Sequence, residues 1–149
     1  MTKIIYIDGV WDLFHYGHVN FIKRCKDEGD YLIVGVCSDE DCETIKRKPV
    51  LELEERVKVL ESCKYIDKII PACPCFGISS EFIKENKIDM ILHADDYTQE
   101  MIDKYYSIPN KMGIFKTISY TSTISTTNII NRLTNRILNK YINNHPDNI

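Results

Sequence analysis

The stretch Ile4-Ile-Tyr-Ile7-Asp8-Gly9-Val10-Trp11-Asp12-Leu-Phe-His15-Tyr-Gly17-His18 decides how this chain folds. Its apolar run, Ile4 to Ile7, reads as a buried strand that stops at a glycine-bearing turn. Behind the turn, Val19, Phe21, Ile22 and Cys25 recur at helical spacing. His15 and His18, with the small Gly17 between them, therefore fall at a fresh helix N-terminus beyond the carboxyl end of the first strand. Open α/β sheets bind ligands at that point, where helix amides and the helix dipole favour phosphate. Gly17 is expected to let a phosphate approach the backbone with no side chain in the way. Two histidines three apart are also compatible with zinc, with Asp12 as a third ligand. The strand–glycine–helix context favours phosphate, and no metal site is expected.

Outward from this stretch, apolar runs and helical patterns alternate. Strands are expected at Lys3–Asp8, Tyr31–Cys37, Tyr65–Ile70, Ile88–His93 and Ile114–Ile118, and helices at His18–Glu28, Leu53–Cys63, Ser80–Lys87, Gln99–Ser107 and Ser125–Asn143. The alternation predicts an α/β, Rossmann-like, doubly wound parallel five-stranded sheet with helices on both faces. One domain over residues 1–142 is expected, followed by a polar tail, 143–149, that frays. Ile129, Ile130, Leu133, Ile137, Leu138 and Tyr141 form an amphipathic stripe on the last helix, expected to pack on the sheet. Glu55-Arg56 reads as an exposed ion pair on a helix.

Composition narrows the function. With 19 basic and 22 acidic residues among 149, the chain has no basic excess with which to hold nucleic acid nonspecifically. No apolar run reaches the length of a membrane span and the N-terminus does not look like a signal peptide, so a stable membrane anchor is not expected. The six cysteines have no scaffold-like spacing, and the expectation is a reduced protein in the cytoplasm. Cys73-Pro-Cys75 with His93 lacks a fourth ligand for zinc.

His15-Tyr-Gly17-His18 matches the HxGH signature of the nucleotidyltransferases. The surrounding words resemble the CTP:phospho-alcohol cytidylyltransferases, the ethanolamine-phosphate enzymes most of all. Supporting segments follow in that family's order: Gly29-Asp-Tyr-Leu-Ile-Val-Gly-Val-Cys-Ser-Asp39, Lys46, Glu55-Arg56, Tyr65-Ile-Asp67, Ile88-Asp89 and Ile124-Ser-Thr-Thr127. The resemblance implies transfer of a cytidylyl group from CTP to a small phospho-alcohol, phosphoethanolamine first. The products would be a CDP-alcohol and pyrophosphate, for phospholipid-precursor synthesis. It gives catalytic roles to His15, His18 and Lys46. Nucleotide contacts fall on Asp8, Gly9, Val10, Trp11, Gly17, His93, Ile124, Ser125, Thr126 and Thr127, and acceptor contacts on Asp12, Cys75, Asp95 and Asp96. Mg²⁺ is expected to arrive with CTP, and a homodimer is implied. Trp11 either packs beside the base or plugs the strand–helix junction, Asp12 either binds substrate or orients a histidine or the turn, and Arg56 lies near the dimer interface or the active site.

The sequence also departs from the family. Tyr120 stands at the position of an arginine that clamps phosphate, Ser122 at that of a glutamate, Lys64 at that of a second arginine, and Cys75 at that of a tryptophan that boxes choline. A planar bidentate clamp has no equivalent in tyrosine. Glycerol 3-phosphate or phosphocholine as acceptor, another HxGH nucleotidyltransferase, and a weakly active nucleotide-binding regulatory subunit are the alternatives.

Overall fold

Ile4–Gly9 (β1) carries apolar side chains on both faces, so it can be stable only in the middle of a sheet covered on both sides. A computed structural model, which describes residues 1–121 and 123–144, puts it there. The elements follow as Tyr16–Asp27 (α1), Tyr31–Val36 (β2), Asp39–Ile45 (α2), Leu53–Glu61 (α3), Lys68–Pro71 (β3), Ser80–Glu85 (α4), Met90–Ala94 (β4), Gln99–Tyr105 (α5), Ser107–Lys111 (α6), Phe115–Ile118 (β5) and Thr126–Asn144 (α7). All strand pairings are parallel, in the order β3-β2-β1-β4-β5. β1 and β2 pair in register from Ile4 opposite Tyr31 to Gly9 opposite Val36. This is the expected doubly wound sheet. Ile5, Ile7, Leu32, Val34 and Leu92 face one core layer with Phe21, Ile22 and Leu60. Tyr6, Ile33 and Ile91 face the other, with Ile78, Ile83 and Tyr106. Gly35 is required by this packing, because a Cβ there would collide with the Tyr6 hydroxyl and come within 2.8 Å of Cys73 Sγ.

Several expectations are corrected. α2 and α6 were not anticipated, since seven and five residues are too short to show an apolar period. α2 is held by its cap instead: Ser38 Oγ accepts the Asp41 amide at 3.1 Å, and Asp39, Glu40 and Asp41 suit the positive end of the helix. β3 begins at Lys68 rather than Tyr65. Just before it, the Asp67 carboxylate accepts from Leu32 N at 2.7 Å and from Lys26 Nζ at 2.6 Å. The apolar stripe of α7 does not pack on the sheet: Leu133, Ile137 and Leu138 are exposed. Nineteen residues rise roughly 28 Å, and the half-buried Ile129 and Ile130 lie in the first turns. The helix also takes in residues 143 and 144 of the expected tail; 145–149 lie outside the described residues. The cysteines are not all free. Cys37, just past β2, is paired with Cys75, just past the neighbouring β3, across a Cα separation of 6.1 Å. Among the described residues no helix is long and apolar enough to cross a membrane.

Candidate active site

The strand order reverses at β1: β2 and β3 lie to one side, β4 and β5 to the other. Doubly wound sheets open a crevice at such a switch point, beyond the carboxyl ends of the strands. Here it is a pocket of about 550 Å³ lined from the ends of β1, β2 and β4, the start of α1, the end of α2 and the start of α7.

His15 is the N-cap of α1, and its Nδ1 accepts the Gly17 amide at 3.1 Å. In return, His18 Nδ1 accepts the His15 amide at 3.2 Å, a reciprocal cap in which imidazoles replace the usual hydroxyl and carboxylate. A ring nitrogen that accepts carries no proton, so each neutral imidazole keeps its N–H on Nε2. The rings stack with centroids 3.8 Å apart, with Phe14 stacked on His18 and Trp11 edge-on to it. Burial lowers the His15 pKa, and burial followed by the His15 charge brings His18 down to about 3. Both are thus neutral donors near pH 7. His15 Nε2 is buried and has no partner among the described residues, which costs about 1–3 kcal/mol until an acceptor arrives. Gly17 serves this pair rather than the ligand. Its amide is used by His15, and a Cβ would come within 2.9 Å of the His15 ring and 3.0 Å of Ile124 Cγ2. Neither Gly17 nor Ile124 lines the pocket; Gly17 is wedged between the His15 ring and Ile124.

Hydroxyls and cations line the same pocket. Ser125, Thr126 and Thr127 start α7, where Ser125 Oγ caps the Asn128 amide and Thr126 Oγ1 donates to Asp12 O at 2.9 Å. Lys46 and Arg47 leave the end of α2, with Arg47 Nη1 3.4 Å from Thr127 Oγ1. Asp12 is fully committed, its two carboxylate oxygens accepting from Val50 N (2.9 Å) and Leu51 N (3.0 Å). Asp12 ties the segment after Lys46 to the start of α1, and it also lines the pocket. Trp11 plugs the junction. It is buried, its Nε1 donates to Gly35 O at 2.8 Å, and it packs against Phe21, with an edge on the pocket. Trp11 and Leu13 both take positive φ, 58° and 47°, which marks the turn as strained.

Arg56 is not an exposed ion-pair residue. Its side chain is 0% accessible. The guanidinium donates to Leu51 O (3.1 Å), Val10 O (2.6 Å), Cys37 O (2.8 Å) and Asp39 Oδ1 (2.7 Å), tying together the segments that leave β1 and β2 and enter α3.

The far end of the pocket is aromatic and acidic. Asp8, His93, Asp96, Tyr97, Tyr105 and Tyr106 line it. Tyr106 Oη donates to Asp8 Oδ1 at 2.5 Å. Burial raises the Asp8 pKa, with the Tyr106 bond and the His93 charge pulling the other way. Tyr97, 3.9 Å from the His93 ring, is pushed up to about 12 by burial and then by the charges of Asp8 and Asp96. His93 Nδ1 lies 2.9 Å from Ala94 O, which makes that nitrogen the donor. Asp95 does not join them: its carboxylate accepts the Tyr120 amide at 3.2 Å, and it lies off the pocket lining. Gly9, Val10, Cys75 and Tyr120 do line the pocket, and Ser122 is outside the described residues. The three tyrosines were missed by the sequence reading. Their trace was Tyr97 directly after Asp95-Asp96, with Tyr105-Tyr106 one short helix later.

A family model described as cytidylyltransferase-like matches residues 6–132, which holds every segment just described. The chain belongs to the cytidylyltransferase-like family. It is 38% identical over 131 residues to a probable ethanolamine-phosphate cytidylyltransferase of Encephalitozoon cuniculi, covering 87% of this chain and 40% of that one. To the ethanolamine-phosphate cytidylyltransferase of Dictyostelium discoideum it is 36% identical, covering 88% and 38%. To choline-phosphate cytidylyltransferase A of Rattus norvegicus it is also 36% identical, covering 87% and 36%. This cytidylyltransferase-like chain therefore spans about two fifths of the length of the curated relatives it matches. A solved structure, the lipopolysaccharide core biosynthesis protein of Thermoplasma volcanium, superposes with a TM-score of 0.67 at 25% identity. The match covers 82% of this chain and all of that one.

Proposed function

We propose that the protein transfers the cytidylyl group of CTP to phosphoethanolamine, giving CDP-ethanolamine and pyrophosphate. The observation that carries this reading is the interlocked histidine cap, with two neutral Nε2–H donors held at a pocket also lined by Lys46, Arg47 and the Ser125–Thr127 hydroxyls. A phosphate oxygen of the acceptor attacks the α-phosphorus and pyrophosphate leaves in line, so the protein has to position the reactants and offset charge that spreads over phosphate oxygens. His15 and His18 donate to those oxygens as neutral groups and need no proton exchange. Lys46, Arg47 and the hydroxyls hold the departing phosphates. Asp8 and Asp96, among the tyrosine rings, suit the ammonium of ethanolamine. Mg²⁺ would shield the triphosphate. It fits as an ion carried by the nucleotide, because Asp12, the acidic residue beside the histidines, has both oxygens bound to amides.

Phosphocholine is the second reading, favoured by the three tyrosine faces and by the choline-phosphate relative. The reading includes a homodimer in the cytoplasm, and the exposed Leu133, Ile137 and Leu138 of α7 are consistent with an unfilled contact surface. Pyrophosphate release from Mg-CTP, with phosphoethanolamine, phosphocholine and glycerol 3-phosphate supplied separately, tests the reaction. Release is expected to be fastest with phosphoethanolamine and to fall away when ATP replaces CTP. CTP binding without release for any acceptor would replace the enzyme with a nucleotide-binding subunit.

A further inference from the structure

Four of the six cysteines gather at one wall of the pocket: Cys37 past the end of β2, Cys42 on α2, and Cys73 and Cys75 past β3. The sulfurs of Cys37, Cys73 and Cys75 lie within 4.8 Å of one another. Two of these three, Cys37 and Cys75, line the pocket, and they are the pair whose sulfurs are joined. Their 6.1 Å Cα separation is one that a disulfide spans without moving the backbone. The two halves are held very differently. Cys37 is fixed on both sides, its amide donating to Gly9 O at 3.0 Å and its carbonyl accepting from Arg56 at 2.8 Å. Among the described residues, Pro74 to Gly77 make no backbone–backbone hydrogen bond; Phe76 is exposed and Gly77 sits at φ +126°. Cys73 and Ile78 anchor the two ends of this turn, and the sulfur link ties its middle to the end of β2. Burial and the nearby Asp8 charge push the Cys73 thiol up to about 12, which keeps it protonated and leaves the pairing to its neighbours. Cys37 and Cys75 line the same pocket as Asp8 and the tyrosines.

We propose that Cys37 and Cys75 are a reversible redox site that fixes the Pro74–Gly77 turn, whose Cys75 lines the pocket, and tightens acceptor binding when oxidised. Two thiols and one small-molecule disulfide, such as oxidised glutathione, exchange to give the protein disulfide and two reduced thiols, which carry away both protons and both electrons. A wall held in its bound position loses less freedom when the ligand arrives. The effect on acceptor binding rests on the proposed function; the bond itself does not.

The full chain is treated with oxidised glutathione or with dithiothreitol, its thiols are counted, and its disulfides are mapped by peptide mass spectrometry. The dissociation constant for phosphoethanolamine is then measured by calorimetry in each state. Oxidation should leave two fewer free thiols than the six of the reduced chain, link the Cys37 and Cys75 peptides, and tighten phosphoethanolamine binding by roughly threefold to tenfold. Cys75→Ser and Cys37→Ser should each bind phosphoethanolamine equally in both buffers. A link through Cys73 or Cys42, a mixed glutathione adduct without a link, or equal binding in both states overturns the proposal. Absence of pyrophosphate release would instead count against the transfer reaction alone, since neither the map nor the binding measurement uses turnover.

Discussion

His15 and His18 spend their Nδ1 atoms on amides of their own turn, so all they can offer a ligand is an Nε2–H, and neither ring needs a charge to do so. Loss of one such preorganised donor costs about 10²–10³-fold in turnover. His18→Ala is therefore expected to slow pyrophosphate release by at least 100-fold, while the weakened cap lowers stability by only about 1 kcal/mol. Turnover at the wild-type rate in a folded His18→Ala protein would move the active site elsewhere. Elsewhere in the pocket, Tyr106 supplies the hydrogen bond to the half-buried Asp8. Tyr106→Phe keeps the ring and removes that donor, which should cost about 1–3 kcal/mol in a urea melt. It should also raise KM for phosphoethanolamine and leave KM for CTP unchanged. Equal changes in both constants would mean that this end of the pocket does not distinguish acceptor from nucleotide.

Where elements meet, a single side chain does most of the fixing. Arg56, on α3, bonds carbonyls from the segments leaving β1 and β2 and from the one entering α3, and pairs with Asp39 at the start of α2. Arg56→Met strips four donors from a dry site, and the midpoint of urea denaturation should fall by an amount equivalent to about 3–5 kcal/mol. Arg56→Lys should recover little, because one ammonium cannot reproduce the guanidinium fork. A loss under 1 kcal/mol would mean that the freed carbonyls find water. This strut shows why the elements were easier to read in the sequence than their joints. β1, β2 and β4 were legible because both faces are buried and the apolar runs are nearly unbroken. α2 was not, because its stability comes from the Ser38 cap and acidic first turn rather than from a stripe. The histidine and hydroxyl part of the pocket was legible because His15 to His18 and Ile124 to Thr127 are each contiguous words. The aromatic, acidic and cysteine part was not: Asp8 meets Tyr106 across 98 positions, and Cys37 meets Cys75 across 38. Local pattern carries no information about such pairings.

Across the whole molecule, the stability curve with pH reflects buried groups that pull in opposite directions. His18 is about 3 in the folded chain against an ordinary 6.5, because burial, and then the His15 charge, penalise the imidazolium; His15 is lowered by burial as well. A depressed value means that the unfolded chain takes up protons first, so stability is complete above pH 6.5 and drains away as pH falls from there towards 3. Asp8 acts with the other sign. Burial raises its carboxyl, so it favours folding in acid and withdraws that contribution as pH climbs through its folded value. Comparing pH 7.5 with pH 5.5 in the wild type alone therefore mixes the two. His18→Gln separates them, since glutamine keeps an acceptor for the His15 amide but has nothing to titrate. Going from pH 7.5 to 5.5, the wild type should lose on the order of 1 kcal/mol more in urea denaturation than His18→Gln does. Identical losses in the two proteins would mean that His18 is already solvated in the folded state. In that case the stacked, neutral pair could not be the fixed donor set that the proposed transfer requires.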